Sequence, residues 1–381
     1  MGPKQRFQVS AKVDRVGRRF ELTALSGRLG RSDVEGRLVL DGVGHRMHIT
    51  GALASKHLDF ADLAVSHTRS PVSRSRIGPR RKPMQSSGRR LLSDAPLPVG
   101  LLRPLDLQLR YRAETVRSTQ FPLRRLGADV KLDHGVLLLK PLTLQFTRGV
   151  LSGSVRIDAR AAVPETTLDV SLRDFRLDDI IRHVGGVAPL QVPLAVRARL
   201  VGHGASIHQA AATASGRILA FTSQGTMRRS VANLIGNAGG GLARLLPNKS
   251  PTTPLRCGFI DLQGSAGRFQ FRRATVDTGV VTLRGTGSVD LAGETIAMKV
   301  QGTSKQPALL RYVAPINVTG AFRAPTLGID PLPLAAQAVS GVLASVALPL
   351  SKAVPFLKGK AAPDVDCRND MGRRDSRTGS E

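Results

Sequence analysis

Apolar and polar residues alternate one by one along many short segments of the chain. Segments 7–14, 105–114, 151–158 and 295–301 all show this period of two. Successive side chains of a β-strand point to opposite faces, so the pattern predicts antiparallel strands with one apolar and one wet face. The residues that we expect to form the functional part of the apolar face are Leu105, Leu107, Leu109, Leu151, Val155, Ile157, Leu168, Val170, Ile296, Met298 and Val300. Helical periodicity is rare, so we predict a mainly β protein.

A loose internal repeat accompanies the strands. Segments 26–42, 147–159 and 278–293 each run glycine, short strand, glycine, strand and aspartate. Glycine inside a strand permits a bulge or sharp coiling, and the terminal carboxylate can close the next turn by accepting backbone amides. The residues concerned are Gly36, Gly153, Gly287, Asp41, Asp158 and Asp290. Hairpins that cannot bury their own apolar face stack on neighbours, which predicts an elongated, coiled antiparallel sheet with a few short helices.

Composition divides the chain into five regions. We predict a β repeat segment at 1–65, a basic disordered linker at 66–92, a β region at 93–330, an apolar helical segment at 331–358 and a disordered tail at 359–381. Residues 331–350 carry no charge, but prolines, serines and alanines favour a helix that caps the sheet or lies on a bilayer surface over a membrane span. A further short helix is predicted at 230–246. The chain opens inside a strand and without an apolar signal region, so we expect its N-terminus to be truncated.

Positive charge is the strongest compositional bias. The chain has 56 Lys and Arg against 28 Asp and Glu, a formal net charge of +28, which favours nucleic acid or anionic lipid surfaces as partners. Trp is absent and Tyr occurs twice, so the chain has few aromatic side chains that could stack on nucleobases. The candidates for contact with headgroups or a membrane surface are Arg74, Arg76, Arg80, Arg81, Lys82, Arg89 and Arg90.

Residues that carry catalytic or metal chemistry are few. His203 and His208 lack further ligands at a suitable spacing. Asp174, Asp178 and Asp179 fit the first turn of a helix near Leu177 better than a set of catalytic carboxylates. Cys257 at a strand start is expected to act as a small buried hydrophobe, and the sequence leaves open whether it pairs with Cys367, the other cysteine. We therefore predict no enzymatic activity, no metal and no cofactor.

Several of these phrases together resemble the AsmA family. They are SGRLGRSDVEGRLVLD at 26–41, GALASKHLDFADL at 51–63, the block 128–181 and PINVTGAFRAPTLGIDP at 315–331. The resemblance implies a β-taco-like fold, a coiled sheet that forms an open groove with an apolar inner wall, similar to TamB and the bridge-like lipid-transfer proteins. It also implies a place in the Gram-negative periplasm, tethered to the inner membrane by an N-terminal helix, for which we expect no counterpart in this sequence.

Phospholipid handling for outer-membrane biogenesis is the function that the resemblance and the alternation imply together. Acyl chains would lie on the apolar wall, and the partners would be phospholipid and the inner or outer membrane surface. A closed sandwich, in which the apolar faces meet each other, is the alternative fold. A scaffold for outer-membrane protein assembly and a basic nucleic-acid-binding protein are the alternative functions. The oligomeric state is left open.

Overall fold

The protein is mainly β and its sheet is open, which confirms the predicted fold class. The computed structural model describes residues 7–43, 46–65, 90–118, 121–176, 178–179, 190–228, 252–279, 281–305, 315–322 and 324–329. The predicted segments 230–246, 331–358 and 359–381 and most of the linker at 66–92 lie outside these residues. The chain divides into two compact units, residues 1–146, 154–166 and 203–211 in unit 1 and residues 147–153, 167–202 and 212–381 in unit 2. The five regions and boundaries inferred from composition stay predictions.

Unit 1 is built on seven strands that pair in chain order. They are β1 (Phe7–Val16), β2 (Arg19–Leu29), β3 (Ser32–Val43), β4 (Arg46–Asp59), β5 (Leu105–Arg117), β6 (Leu123–Asp133) and β7 (Val136–Phe146). The short helices α1 (Phe60–Val65), α2 (Val99–Leu102) and α3 (Ile207–Ala212) contain residues of this unit. Strands β8 (Val150–Asp158) and β9 (Glu165–Arg176) are divided between the two units.

One pairing in unit 1 departs from the predicted antiparallel arrangement. β4 and β5 run parallel, with Met47 opposite Leu105 and Asp59 opposite Arg117. Parallel neighbours need a crossover connection, because the chain must return to the same end of the sheet before the second strand begins. Here residues 60–104 form that connection, so the region read as a linker joins two neighbouring strands.

The end of β4 is tied to the turn between β2 and β3 by a buried carboxylate. Asp62 in α1 accepts hydrogen bonds from the backbone amides of Arg31 (2.8 Å) and Ser32 (2.9 Å) and from the Ser32 hydroxyl (2.9 Å). These bonds satisfy amides that the turn would otherwise leave without a partner. A small apolar cluster next to this end, formed by Leu58, Ala113, Val116 and Leu123, packs against Phe60 and Tyr111.

Unit 2 is built on a second set of strands. These are β10 (Leu190–Gln191), β11 (Pro193–His203), β12 (Ser215–Thr222), β13 (Gly225–Arg228), β14 (Thr252–Ser265), β15 (Arg268–Thr278), β16 (Val281–Asp290), β17 (Thr295–Ser304), β18 (Ile316–Ala321) and β19 (Ala324–Ile329). The long strand β14 pairs with β12 along one part and with β13 along another, and β14 to β19 pair in sequence, all antiparallel. A buried cluster of Val192, Met227, Leu255, Val281 and Leu283 forms the core of this unit.

The glycines of the repeat occupy backbone positions that only glycine fits well. Gly36, Gly153 and Gly287 all have positive φ, and at Gly287 the value is 137°. A Cβ added at Gly287 would collide with the carbonyl oxygen of Ala297 on β17, and one at Gly36 would collide with that of Ala52 on β4. Register shifts lie beside both glycines, between Leu22 and Leu25 on β2 and between Gln270 and Thr275 on β15. The sequence prediction of special strand glycines is therefore confirmed.

The aspartates that end the repeat behave as predicted where the following turn is described. Asp290 accepts the backbone amides of Ala292 (2.9 Å) and Gly293 (3.2 Å), and Asp158 accepts the amide of Arg160 (3.2 Å). The carboxylate thus closes the turn locally. The residues two and three beyond Asp41 only partly belong to the described chain, and its role stays a prediction.

Replacement of Gly287 by alanine is expected to destabilise unit 2 by about 2 kcal/mol or more, because the new Cβ combines an unfavourable φ with a backbone collision. Gly328→Ala on β19 is the matched control, since a Cβ there meets nothing within 4 Å. Urea denaturation followed by circular dichroism measures both variants. Equal stability of the two variants would contradict this explanation of the repeat.

Candidate functional site

Strand register gathers the apolar residues of unit 1 onto one face of its sheet. Directly paired residues share a face, and Leu40, Ile49, Leu107, Leu132 and Leu137 form one row across β3 to β7. A second row lies beside it. We call this surface the unit 1 floor and define it as Leu38, Leu40, Ile49, Leu53, Leu105, Leu107, Leu109, Val130, Leu132, Leu137 and Leu139.

Most side chains of the unit 1 floor are half-buried. Leu105, Leu107 and Leu109 are all of this kind, whereas Gln108 and Arg110 on the other face of the same strand are exposed. Leu132 is the buried exception, at 3% exposure. Neighbours in the same row cover one another, and the outer surface of the row keeps part of its access to solvent. A second apolar surface or a ligand can still be placed on it.

Unit 2 carries an equivalent surface, the unit 2 floor. Val300 lies between Gly285 and Ile316, and Met298 lies between Gly287 and Val318, on the face shared with Ile296. The three predicted residues of β17 are half-buried, as in unit 1. The floor consists of Val196, Ala220, Ile260, Val276, Leu283, Val289, Ile296, Met298, Val300 and Val318.

The remaining predicted positions lie on β8 and β9. Leu151, Val155, Ile157 and Leu168 are half-buried, and Val170 is buried at 9% exposure. In unit 2 the hydroxyls of Ser152 and Ser171 lie 3.3 Å apart across the two strands, on the polar face. The alternation of a strand then places Leu151 and Val170 on the opposite, apolar face.

The candidate headgroup residues are mostly outside the described chain. This holds for Arg74, Arg76, Arg80, Arg81, Lys82 and Arg89. Arg90 is described, and its exposed guanidinium donates to Asp94 at 2.8 Å. The assignment of these residues to a headgroup or a membrane surface stays a prediction.

Ion pairs account for the acidic residues that the sequence placed at a helix start. Asp178 is buried and accepts from Arg176 at 2.9 Å, and Asp179 binds Arg148 through both oxygens, at 3.0 and 2.6 Å. Residues 178 and 179 are helical, as predicted, but their carboxylates bind guanidinium groups of unit 2. The prediction was wrong for Asp174, which lies on β9, because that strand continues to Arg176. Sequence spacing could not show the contact to Arg148, because thirty residues separate it from Asp178.

Cysteine chemistry also differs from the expectation. Cys257 is disulfide-bonded, so its role is covalent and not that of a small buried hydrophobe. Cys367, the other cysteine of the chain, lies outside the described residues. Of the two histidines weighed as ligands, His203 lies 3.4 Å from Glu165.

A polar network in unit 1 brings together three groups that are typical metal ligands. Ligand atoms of Asp106, Asp133 and His134 lie within 4.8 Å of one another. Arg46, however, donates to both oxygens of Asp106, at 2.9 and 2.8 Å, and the His134 amide donates to the same carboxylate at 3.0 Å. The Arg46 guanidinium holds the pKa of Asp106 well below its ordinary value. We interpret the network as a structural contact that connects the parallel strands β4 and β5 with the turn after β6.

Loss of the Asp106 charge is expected to weaken unit 1 by about 2 kcal/mol at neutral pH, since Asp106→Asn removes a charge-assisted bidentate contact. A depressed pKa in the folded state means that the contribution is present above about pH 4 and is lost as the pH falls below that value. The stability difference between wild type and variant should therefore narrow under acid conditions. Denaturation at a series of pH values measures it, with Asp94→Asn at the exposed pair as a control that should change little.

Comparison with known proteins shows the family of this chain. The model of the AsmA family matches residues 4–273. The chain belongs to the AsmA family. It is also similar to the AsmA family protein YhjG of Escherichia coli (strain K12), with 20% identity over 368 residues, 93% of this chain and 53% of that protein. This AsmA-family chain thus spans about half the length of the curated relative that it matches.

No solved structure matches the chain. Among the helices of the described residues, none has the length and apolar character that a bilayer span requires.

Proposed function

We propose that this protein handles phospholipid in the bacterial envelope and serves outer-membrane biogenesis, by holding acyl chains against its two apolar floors. The observation that carries the proposal is the apolar face of each unit, which is half-buried at nearly every position and in unit 1 forms a continuous row from Leu40 to Leu137. An AsmA-family chain is associated in general terms with outer-membrane biogenesis or lipid transport. The apolar floors give that association a physical basis in this chain.

The dimensions of the floor suit an acyl tail. Neighbouring strands lie about 4.8 Å apart, so the five strands from β3 to β7 extend the apolar row over roughly 19 Å. Each methylene removed from water contributes about 0.8 kcal/mol. Because leucine, isoleucine and valine line the row uniformly, an acyl tail contacts a similar surface at every position. The free energy of the bound tail therefore changes little as it moves along the floor.

The disulfide at Cys257 supports a location in an oxidising compartment. Disulfides form and persist in the periplasm and are rare in the cytosol. We infer that the protein works in the periplasm, and that full-length members of the family are tethered to the inner membrane. Phospholipid and the inner or outer membrane surface are then its partners.

A scaffold for outer-membrane protein assembly is the second candidate, and one observation favours it. β1 pairs with β2 and exposes apolar side chains, with Val9, Val13 and Val16 at 49%, 56% and 75% exposure. A strand of this kind can accept a client strand by backbone pairing. Purified protein that carries unfolded outer-membrane protein and no lipid would favour this candidate over lipid handling.

A charge placed on the unit 2 floor is expected to reduce bound phospholipid. Met298→Glu puts a carboxylate among apolar side chains, whereas Ala297→Glu puts the same group on the wet face of the same strand, where Ala297 is exposed. Lipid extracted from purified protein and quantified by mass spectrometry should fall at least several-fold for Met298→Glu and stay near wild type for Ala297→Glu. Circular dichroism checks that both variants fold.

A photo-crosslinking amino acid provides a second measurement that does not depend on stability. At Leu107 it should label phospholipid in membranes, and at the neighbouring Gln108 on the opposite face it should label far less. Equal labelling at the two positions, or unchanged lipid content in Met298→Glu, contradicts lipid handling on the floors.

Cysteine alkylation is expected to distinguish oxidised from reduced protein. Protein isolated from the periplasm should resist alkylation until it is reduced and denatured, and should then take up two equivalents, one at each cysteine. Mass spectrometry of the intact chain measures the uptake. Two equivalents without reduction would contradict both the disulfide and the periplasmic location that we infer from it.

A further inference from the structure

The wet face of unit 1 contains a basic depression that the lipid proposal does not use. It is a cavity of about 780 Å³ that crosses β2 to β7. Its side chains include Arg37, Thr50, Gln108, Arg110 and Lys140. Thr50 and Gln108 are neighbours in sequence of Ile49 and Leu107 on the floor, so the depression lies on the opposite face of the sheet. We call it the wet-face trough.

Small residues in the middle strand create the trough. β4 contributes Thr50 and Ala52 to this face, and Ala52 pairs with Arg37 on one side and Arg110 on the other. The long side chains of these arginines stand on both sides of the short ones, so the surface dips along β4. The short side chains of β4 form the bottom of the trough, and the cationic side chains of the neighbouring strands form its walls.

The charges around the trough are unbalanced. Its lining has five cations, Arg19, Arg37, Arg110, Lys131 and Lys140, against two acids, Glu21 and Asp129. Glu21 pairs with Arg19 at 3.0 Å and Asp129 pairs with Arg110 at 3.4 Å. Among the described residues, Arg37 and Lys140 form no ion pair. Two cations thus stand beside hydroxyl and amide groups at a concave surface with no acidic partner of their own there.

We propose that the wet-face trough binds a phosphate-bearing ligand. Guanidinium and ammonium groups are the side chains that recognise phosphate oxygens, and Thr50 and Gln108 add neutral hydrogen-bond donors at the bottom. A cavity of this volume takes a whole phosphorylated headgroup or a small phosphorylated compound. The lining contains no aromatic side chain, which argues against nucleobase stacking.

The cations of the trough lie on the opposite face of the sheet from the lipid-tail surface, and Leu38, Leu109 and Val130 of the floor also border the cavity. The pairing of β4 with β5 is continuous from Met47 to Ser55, which includes the trough residues of β4. A tail on the floor and a phosphate in the trough therefore cannot belong to one lipid that passes through the sheet. The phosphate comes either from the headgroup of a lipid in an adjacent bilayer or from a soluble compound. The two sources share their chemistry and are separated by experiment.

Binding is measured with two probes on the full chain. Glycerol 3-phosphate titrated in a calorimeter reports a soluble ligand, and co-sedimentation with phosphatidylcholine vesicles that contain phosphatidylglycerol reports a bilayer headgroup. The test variant is the double substitution Arg37→Gln and Lys140→Gln. The matched control is Lys12→Gln and Arg28→Gln, which removes the same charge from exposed residues of unit 1 that do not line the trough.

At least one probe should bind wild-type protein about tenfold more tightly than the test variant, with the control within twofold of wild type. Ala52→Leu fills the trough without a change of charge and should weaken the same probe. Loss with both probes or with glycerol 3-phosphate alone supports a soluble ligand, and loss with vesicles alone supports a lipid headgroup.

Two results overturn the proposal. One is equal loss in the test and control variants, which means that net charge alone attracts the probe. The other is no measurable binding of either probe to wild-type protein. Met298→Glu, which tests the floor, should leave trough binding unchanged, so failure of either proposal can be recognised independently of the other.

Discussion

The register of strand pairing is the constraint on which the rest of this structure depends. Side chains alternate with a period of two, so a slip of one residue between any two neighbours would move a whole apolar row to the wet face. In unit 1 the row through Leu40, Ile49 and Leu107 survives the change from antiparallel to parallel pairing between β3, β4 and β5. The floor and the wet-face trough exist together because each strand holds its register with both neighbours.

Polar contacts at the strand ends provide that register. The hydrogen bonds of Asp62 fix the β2–β3 turn against the end of β4, and Arg46 on Asp106 fixes the start of β4 against β5. Unit 2 uses a fully buried carboxylate, Asp277, which contacts Lys305 at 2.6 Å and accepts from the Thr282 hydroxyl at 2.9 Å. A buried ion pair is weak support for stability but costs much when one partner is removed, so it disfavours alternative registers.

An open apolar face has a cost that the fold must offset. Half-buried leucines and valines contribute less to folding than buried ones, since part of their surface stays in water. Regular strand pairing, special glycines such as Gly287 and the disulfide at Cys257 supply stability by other means. The same exposed surface that weakens the core is what a lipid tail would use, which is why stability and the proposed function draw on the same residues.

The sequence by itself determined which residues face which way. Alternation at 105–109 and 295–301, the repeat glycines and the family phrases were enough to predict an open, mainly β fold, because the period of two is a local property of each strand. They also indicated six residues of the two floors, namely Leu105, Leu107, Leu109, Ile296, Met298 and Val300. The other floor residues were not predicted, because only strand pairing brings them into the same rows. Tertiary structure alone decided which strands are neighbours. The parallel pairing of β4 with β5, the contact of Arg148 with Asp179, the disulfide at Cys257 and the cations around Ala52 all join residues far apart in the chain. Local sequence patterns do not indicate such contacts, because the contacts depend on how the whole chain is arranged in the sheet.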